Sequence, residues 1–90
     1  MSEEDKKTRK NSRTQLTKEL NSIERYMAED EVEQVNNRLK SVKEKFRTFE
    51  TDHEKYHNAL EDEKEIEESD DYFADTQHRY VVVLNLAKLG

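Results

Sequence analysis

The stretch VEQVNNRLKSVKEKFRTFETDHEKYHNAL, Val32 to Leu60, decides the fold of this 90-residue chain. Taking every third and then every fourth residue gives Val32, Val35, Leu39, Val42, Phe46, Phe49, His53, Tyr56 and Leu60, a heptad a/d seam with no break in register. Apart from Ala59, the residues between those positions are polar. One narrow stripe must therefore find a partner while the rest of the helix faces water. The strict seven-residue period implies a left-handed supercoil with whatever lies along it.

Composition sets the limits around that seam. With 31% hydrophobic against 42% charged residues the core can only be small, and elongation or self-association is the expected remedy. There is no Pro and the single Gly is residue 90, so the turn chemistry of β-hairpins and glycine-rich phosphate loops is missing. An all-α chain follows, read as an elongated antiparallel three-helix bundle with a long central helix. The absence of Cys excludes disulfides and thiolate metal sites. No apolar run approaches a membrane span, and the first ten residues are too charged for a secretory signal, so a soluble intracellular protein, cytoplasmic by default, is expected. The net charge of −6 arises entirely in residues 61–90, which hold nine acidic against three basic side chains.

Working towards the N-terminus, residues 1–10 (MSEEDKKTRK) have no large apolar side chain after Met1 and read as a disordered charged arm, leaving residues 11–90 as one helical domain. Lys6, Lys7, Arg9, Lys10 and Arg13 form a basic cluster that could touch nucleic acid weakly. A solvated tail is the better reading, because one short cluster stands in an acidic chain. A first helix over 11–28 carries Leu16, Leu20, Ile23 and Met27 at helical spacing with Tyr26 beside them, and Arg9 and Arg13 continue that face outward. Glu29-Asp30 marks the break, and Asp30 with Glu33 has the order of a capping box for the second helix, expected over 31–62.

Beyond Leu60 the seam meets Glu63 and Glu67, and its register fails. Residues 63–69 read as an acidic connector in which Ile66 stands alone, with Ser69 or Asp70 capping a third helix over 70–89. A continuous helix is the competing reading, since Glu and Lys are good helix formers. On the third helix Phe73, Thr76, Tyr80, Val83, Leu84 and Ala87 make one face, and Val82, Leu86 and Leu89 make a second that is free for a partner. The run YVVVLNL (80–86) is the only place where a strand competes, and it has no strand to pair with. Folding back at both breaks sets the first helix on the first half of the seam and the third helix on the second half. Tyr80 is then expected near His53, Phe73 beside Leu60, and the two outer helices meet only around Val42 to Phe49.

One motif with catalytic associations is present. His53-Glu54-Lys55-Tyr56-His57 spells H-E-x-x-H on a helix, where two imidazoles one turn apart can share a metal and the intervening Glu can activate its water. Against that reading, His53 falls on the seam, and Leu60 and Glu63 stand where the longer metzincin pattern has Gly and a third His. His53, Glu54 and His57 are therefore structural residues first and metal candidates second, and His78 is placed about one turn from His53. The carboxylates of 61–75 lack the alternating ligands and central Gly of a calcium loop. Neither catalytic residues nor a cofactor are expected.

The block 35–84 resembles the helical N-terminal region of Pao/BEL-type retrotransposon gag polyproteins and related domains of unknown function. The resemblance rests on RLKSVKEKFRTFETDHEKYHNAL (38–60), then the acidic DEKEIEESDDYF (62–73), then a helix containing Tyr80. It implies a non-enzymatic scaffold upstream of a capsid-like domain. No zinc-knuckle cysteines are present, so nucleic-acid binding of the gag type does not carry over.

The functional expectation is a structural or assembly module that self-associates, with the seam and the face of Val82, Leu86 and Leu89 as its contacts. The alternative is an adaptor that binds an amphipathic helix of another protein. A zinc metallohydrolase on HEKYH is the third reading.

Overall fold

The heptad seam sorts into two columns in the structure, a computed structural model that describes the backbone of residues 2–89 and the side chains of residues 3–88. Val35, Val42, Phe49 and Tyr56, the d positions, are buried in the middle of the bundle. Leu39 and Phe46, at a positions, are half-buried and line the core from one side. The chain forms three helices of 27 residues each, α1 Ser2–Ala28, α2 Val32–Asn58 and α3 Glu63–Leu89. Each is about 40 Å long by its rise per residue, and the molecule measures 46 × 19 × 14 Å. The elongated all-α three-helix bundle is thus established, and among the described residues no helix is long and apolar enough to cross a membrane. Met1, Gly90 and the Leu89 side chain lie outside the described residues.

The two ends expected to be irregular are helical. Residues 2–10 belong to α1, not to a disordered arm: Glu3, Glu4 and Asp5 occupy its first turn, where negative charge complements the helix dipole, and Arg9 is buried at 5% exposure. The acidic connector is likewise the start of α3, with Glu63 and Glu65 in the corresponding first turn. The only turn there is 59–62, closed by the Ala59 and Leu60 N–H groups on the carbonyls of Tyr56 and His57, so α2 ends at Asn58, short of residue 62. Ser69 sits inside α3 and is buried, not a cap.

Asp30 also changes role. Its φ is 57°, the left-handed region; its N–H donates to the Met27 carbonyl at 3.2 Å, and Glu31 N–H donates to Tyr26 at 3.0 Å. This pair of bonds is a Schellman motif, which stops α1. The residue bounding α2 is Glu31, with no side-chain cap, so the capping box does not form. Val32, the first seam residue, projects past the turn and is 58% exposed; Leu60 lies beyond α2 and is half-buried.

Because all three helices run the full length, α1 and α3 accompany the whole seam and not half of it each. Leu16, Leu20 and Ile23 from α1 and Val83 and Ala87 from α3 meet Val35, Val42 and Phe49 in one core. The early start of α3 slides its contacts along α2. Tyr80 stacks on Phe46 at a centroid distance of 4.1 Å, two turns from the expected His53, and Phe73 stacks on Phe49 at 5.7 Å and His53 at 4.6 Å instead of meeting Leu60. These rings hold α3 further out than α1, which packs closely on α2. Grooves flank α3 as a result.

Candidate functional site

Two places in this bundle depart from ordinary packing. The first is a buried polar node where the amino-terminal part of α1 meets the end of α2 and the start of α3. The guanidinium carbon of Arg9 lies 4.1 Å from the Tyr56 ring centroid and 4.0 Å from that of Tyr72, and Arg13 lies 4.3 Å from Tyr72. Aromatic faces replace part of the hydration a buried cation loses. Nη1 of Arg9 donates to Ser69 Oγ at 3.0 Å and stands 3.2 Å from His53 Nδ1. A guanidinium has only donors, so His53 Nδ1 must be an acceptor and the imidazole neutral. Burial first, then the charges of Arg9 and His57, push the His53 pKa down to about 4, against a smaller opposing pull from Asp70. Burial also lowers the Arg9 pKa, opposed by the two tyrosines.

Ser69, His57 and Asp70 continue the node outward in a hydroxyl, imidazole and carboxylate row. His57 Nδ1 is 3.0 Å from Ser69 Oγ and its Nε2 is 3.6 Å from Asp70 Oδ1. That order invites comparison with a nucleophile, base and orienting acid. The surroundings argue otherwise. Ser69 is 2% exposed, its oxygen already accepts from Arg9, and its position inside α3 commits the nearby backbone N–H groups to the helix, leaving no oxyanion donors. The row ties α2 to α3, and Arg9 on Ser69 adds α1.

The H-E-x-x-H residues divide in the same way. His53 is buried against Phe73 and Phe49, Glu54 is exposed, and His57 is engaged with Ser69. The two imidazole centroids are 5.3 Å apart, but among the described residues no group of three or more His, Asp or Glu side chains converges on a metal position. His78 is exposed on α3 and does not join them. Arg9 and Ser69, the centre of the node, read in the sequence as part of a solvated basic cluster continuing the face of the first helix and as a possible cap, with neither assigned to a buried node. Their signal was spacing: Arg9 lies one heptad before Leu16, and Ser69 one heptad before Thr76.

The second place is apolar and lies at the opposite end. Val82 and Leu86 are 41% and 51% exposed, and Val81 and Val32 add to the uncovered apolar surface. Leu86 borders a cavity of about 340 Å³ whose walls include Tyr26, Met27, Val35 and Leu39, with Asp30, Glu31 and Lys88 at its rim. The face expected to be free for a partner is therefore exposed at Val82 and Leu86. Comparisons with family models, curated proteins and solved structures find no match to this chain, and nothing in them links it to a gag polyprotein.

Proposed function

We propose that this chain is a non-enzymatic assembly module that pairs with a second copy of itself through the apolar end. The observation that carries the reading is the juxtaposition of a ridge and a groove: exposed Leu86 stands at the edge of the cavity floored by Val35 and Leu39. A two-fold axis brings a surface against itself, so it needs both shapes in one patch. It also needs both charges, and the rim supplies Lys88 on one side and Asp30 with Glu31 on the other. A chain with 31% hydrophobic residues gains from the additional burial. In a polyprotein of the gag type, the setting the resemblance implies, such a contact would multiply into a scaffold.

Sedimentation equilibrium from about 10 μM to 1 mM tests the reading, since self-association responds to concentration. A monomer–dimer equilibrium is expected, weakened by at least about tenfold in Val82→Ser/Leu86→Ser if these side chains anchor the contact. Both positions are exposed, so helicity by circular dichroism should stay unchanged. A monomer across the whole range overturns the proposal.

A further inference from the structure

On the side of α3 that faces α1, the groove has a different chemistry. It encloses about 510 Å³ and is bordered by six basic side chains, Lys6, Arg9, Lys10, Arg13, Lys18 and Arg79, against one acidic residue, Asp75. In a chain of net charge −6 this is a strong segregation of sign. Arg79 is neutralised by Glu24 at 2.6 Å. Among the described residues Lys6, Lys10, Arg13 and Lys18 have no carboxylate within ion-pair distance. Behind them Arg9, only 5% exposed, has a buried Nε without a hydrogen-bond partner. Lys6 also borders Glu65 and Glu68 in an adjoining pocket, so the positive charge without nearby acids is concentrated at Lys10, Arg13 and Lys18.

The geometry points to a binding groove for a linear phosphate chain, taken by Lys6, Lys10, Arg13 and Lys18. Lys6, Lys10 and Arg13 follow one face of α1 at spacings of four and three, Lys18 borders the same groove further along, and twelve residues of helix span about 18 Å, longer than one phosphate and suited to several in a row. Lysine ammonium groups act on phosphate as mobile point charges and do not demand a fixed ligand shape. Competing ligands fit less well. Single-stranded nucleic acid needs open aromatic faces for its bases, yet Tyr72 carries Arg9 and Arg13, and Tyr56 carries Arg9. An amphipathic acidic helix needs an apolar floor, and this groove offers little beyond Leu20 and Tyr72. The phosphates can come from a free polyphosphate chain in solution or from the separate ring phosphates of a multiply phosphorylated lipid headgroup.

Calorimetric titration of the full chain with inorganic tripolyphosphate tests the assignment. Saturable one-site binding is expected, weakening as salt rises from about 50 to 200 mM because the charges are exposed. Lys10→Gln/Lys18→Gln should lose affinity by about tenfold or more, equivalent to ~1.4 kcal/mol. Lys40→Gln/Lys43→Gln, on the exposed face of α2, should change it less than about twofold. Vesicles of phosphatidylcholine with phosphatidylinositol bisphosphate separate the sources: capture that tripolyphosphate reverses assigns the headgroup, and no capture assigns the soluble chain. No saturable binding of tripolyphosphate, equal losses in both double variants, or equal affinity for a poly-glutamate peptide overturns the proposal.

Discussion

Arg9 Nη1 stands 3.2 Å from His53 Nδ1, a buried contact between residues forty-four positions apart. It joins α1 to the one position of the seam that is not hydrocarbon or aromatic hydrocarbon in character, and it fixes the protonation state there. A proton on Nδ1 would remove the acceptor and set two cations against each other under burial. Other charges reach the site from its neighbours: His57 from α2 and Asp70 from α3, with Arg13 beyond Tyr72 on α1.

A pH dependence follows with a definite sign. The folded His53 pKa of about 4 lies below the ordinary imidazole value of 6.5, so the unfolded chain binds the proton more readily. Stability from this residue is complete above pH 6.5, declines as pH falls towards 4, and is flat below it. The loss amounts to at most roughly 3 kcal/mol. Urea unfolding at stepped pH should show it, and His53→Phe should flatten the curve between those limits. Parallel curves for the two proteins would show that the slope has another source.

Arg9 should resist conservative replacement. Its guanidinium meets two tyrosine rings while one nitrogen bonds Ser69 and His53, a combination of planar contact and fork that an ammonium cannot reproduce. Arg9→Lys should cost about 1–3 kcal/mol in urea unfolding, and deletion of residues 1–10 should cost at least as much. A truncated chain as stable as the parent would mean that the start of α1 adds nothing to the bundle.

How far these features could be read from the sequence turns on what counts as a core residue. The d column from Val35 to Tyr56 was legible because hydrocarbon repeats every seven residues. The missed part of α3 obeys the same rule. Ile66, Ser69, Phe73, Thr76, Tyr80, Val83 and Ala87 recur at spacings of three and four without interruption. Following the α2 seam into Glu63 and Glu67, and taking Ser69 as a possible cap, hides this stripe and turns two helical turns into a connector. Arg9 continues the face of the first helix in the sequence but reads, as a charge, as part of a solvated arm, although Tyr56 and Tyr72 supply the aromatic surface that lets it be buried. Asp30 misled for a different reason. Its side chain suits an N-cap, but its backbone angle serves the C-terminus of the preceding helix, and φ is not written in a side-chain pattern.

That angle yields a stabilising change. A residue with a Cβ in the left-handed region carries a steric cost that Gly avoids. Asp30→Gly should raise the unfolding free energy by about 0.5–1 kcal/mol, and Asp30→Val should lower it by a similar or larger amount. Thermal unfolding of the two variants checks the order; a destabilising Gly would mean the Asp side chain matters more than its backbone.

The two columns of the seam should differ under truncation. Phe49 is fully buried and lies 6.1 Å from Tyr72 and 5.7 Å from Phe73, so Phe49→Ala leaves a cavity walled by all three helices and should cost about 3–5 kcal/mol. Phe46 is half-buried, and its main partner is the ring of Tyr80. Phe46→Ala should therefore cost less, about 1–3 kcal/mol, since water can reach the vacated space and only part of the area is lost. It should also weaken the grip on α3 selectively, which amide exchange reports as faster opening around Tyr80 with α1 and α2 unchanged. Equal costs at the two positions would mean that both columns face the same core, and the offset stance of α3 would then be wrong.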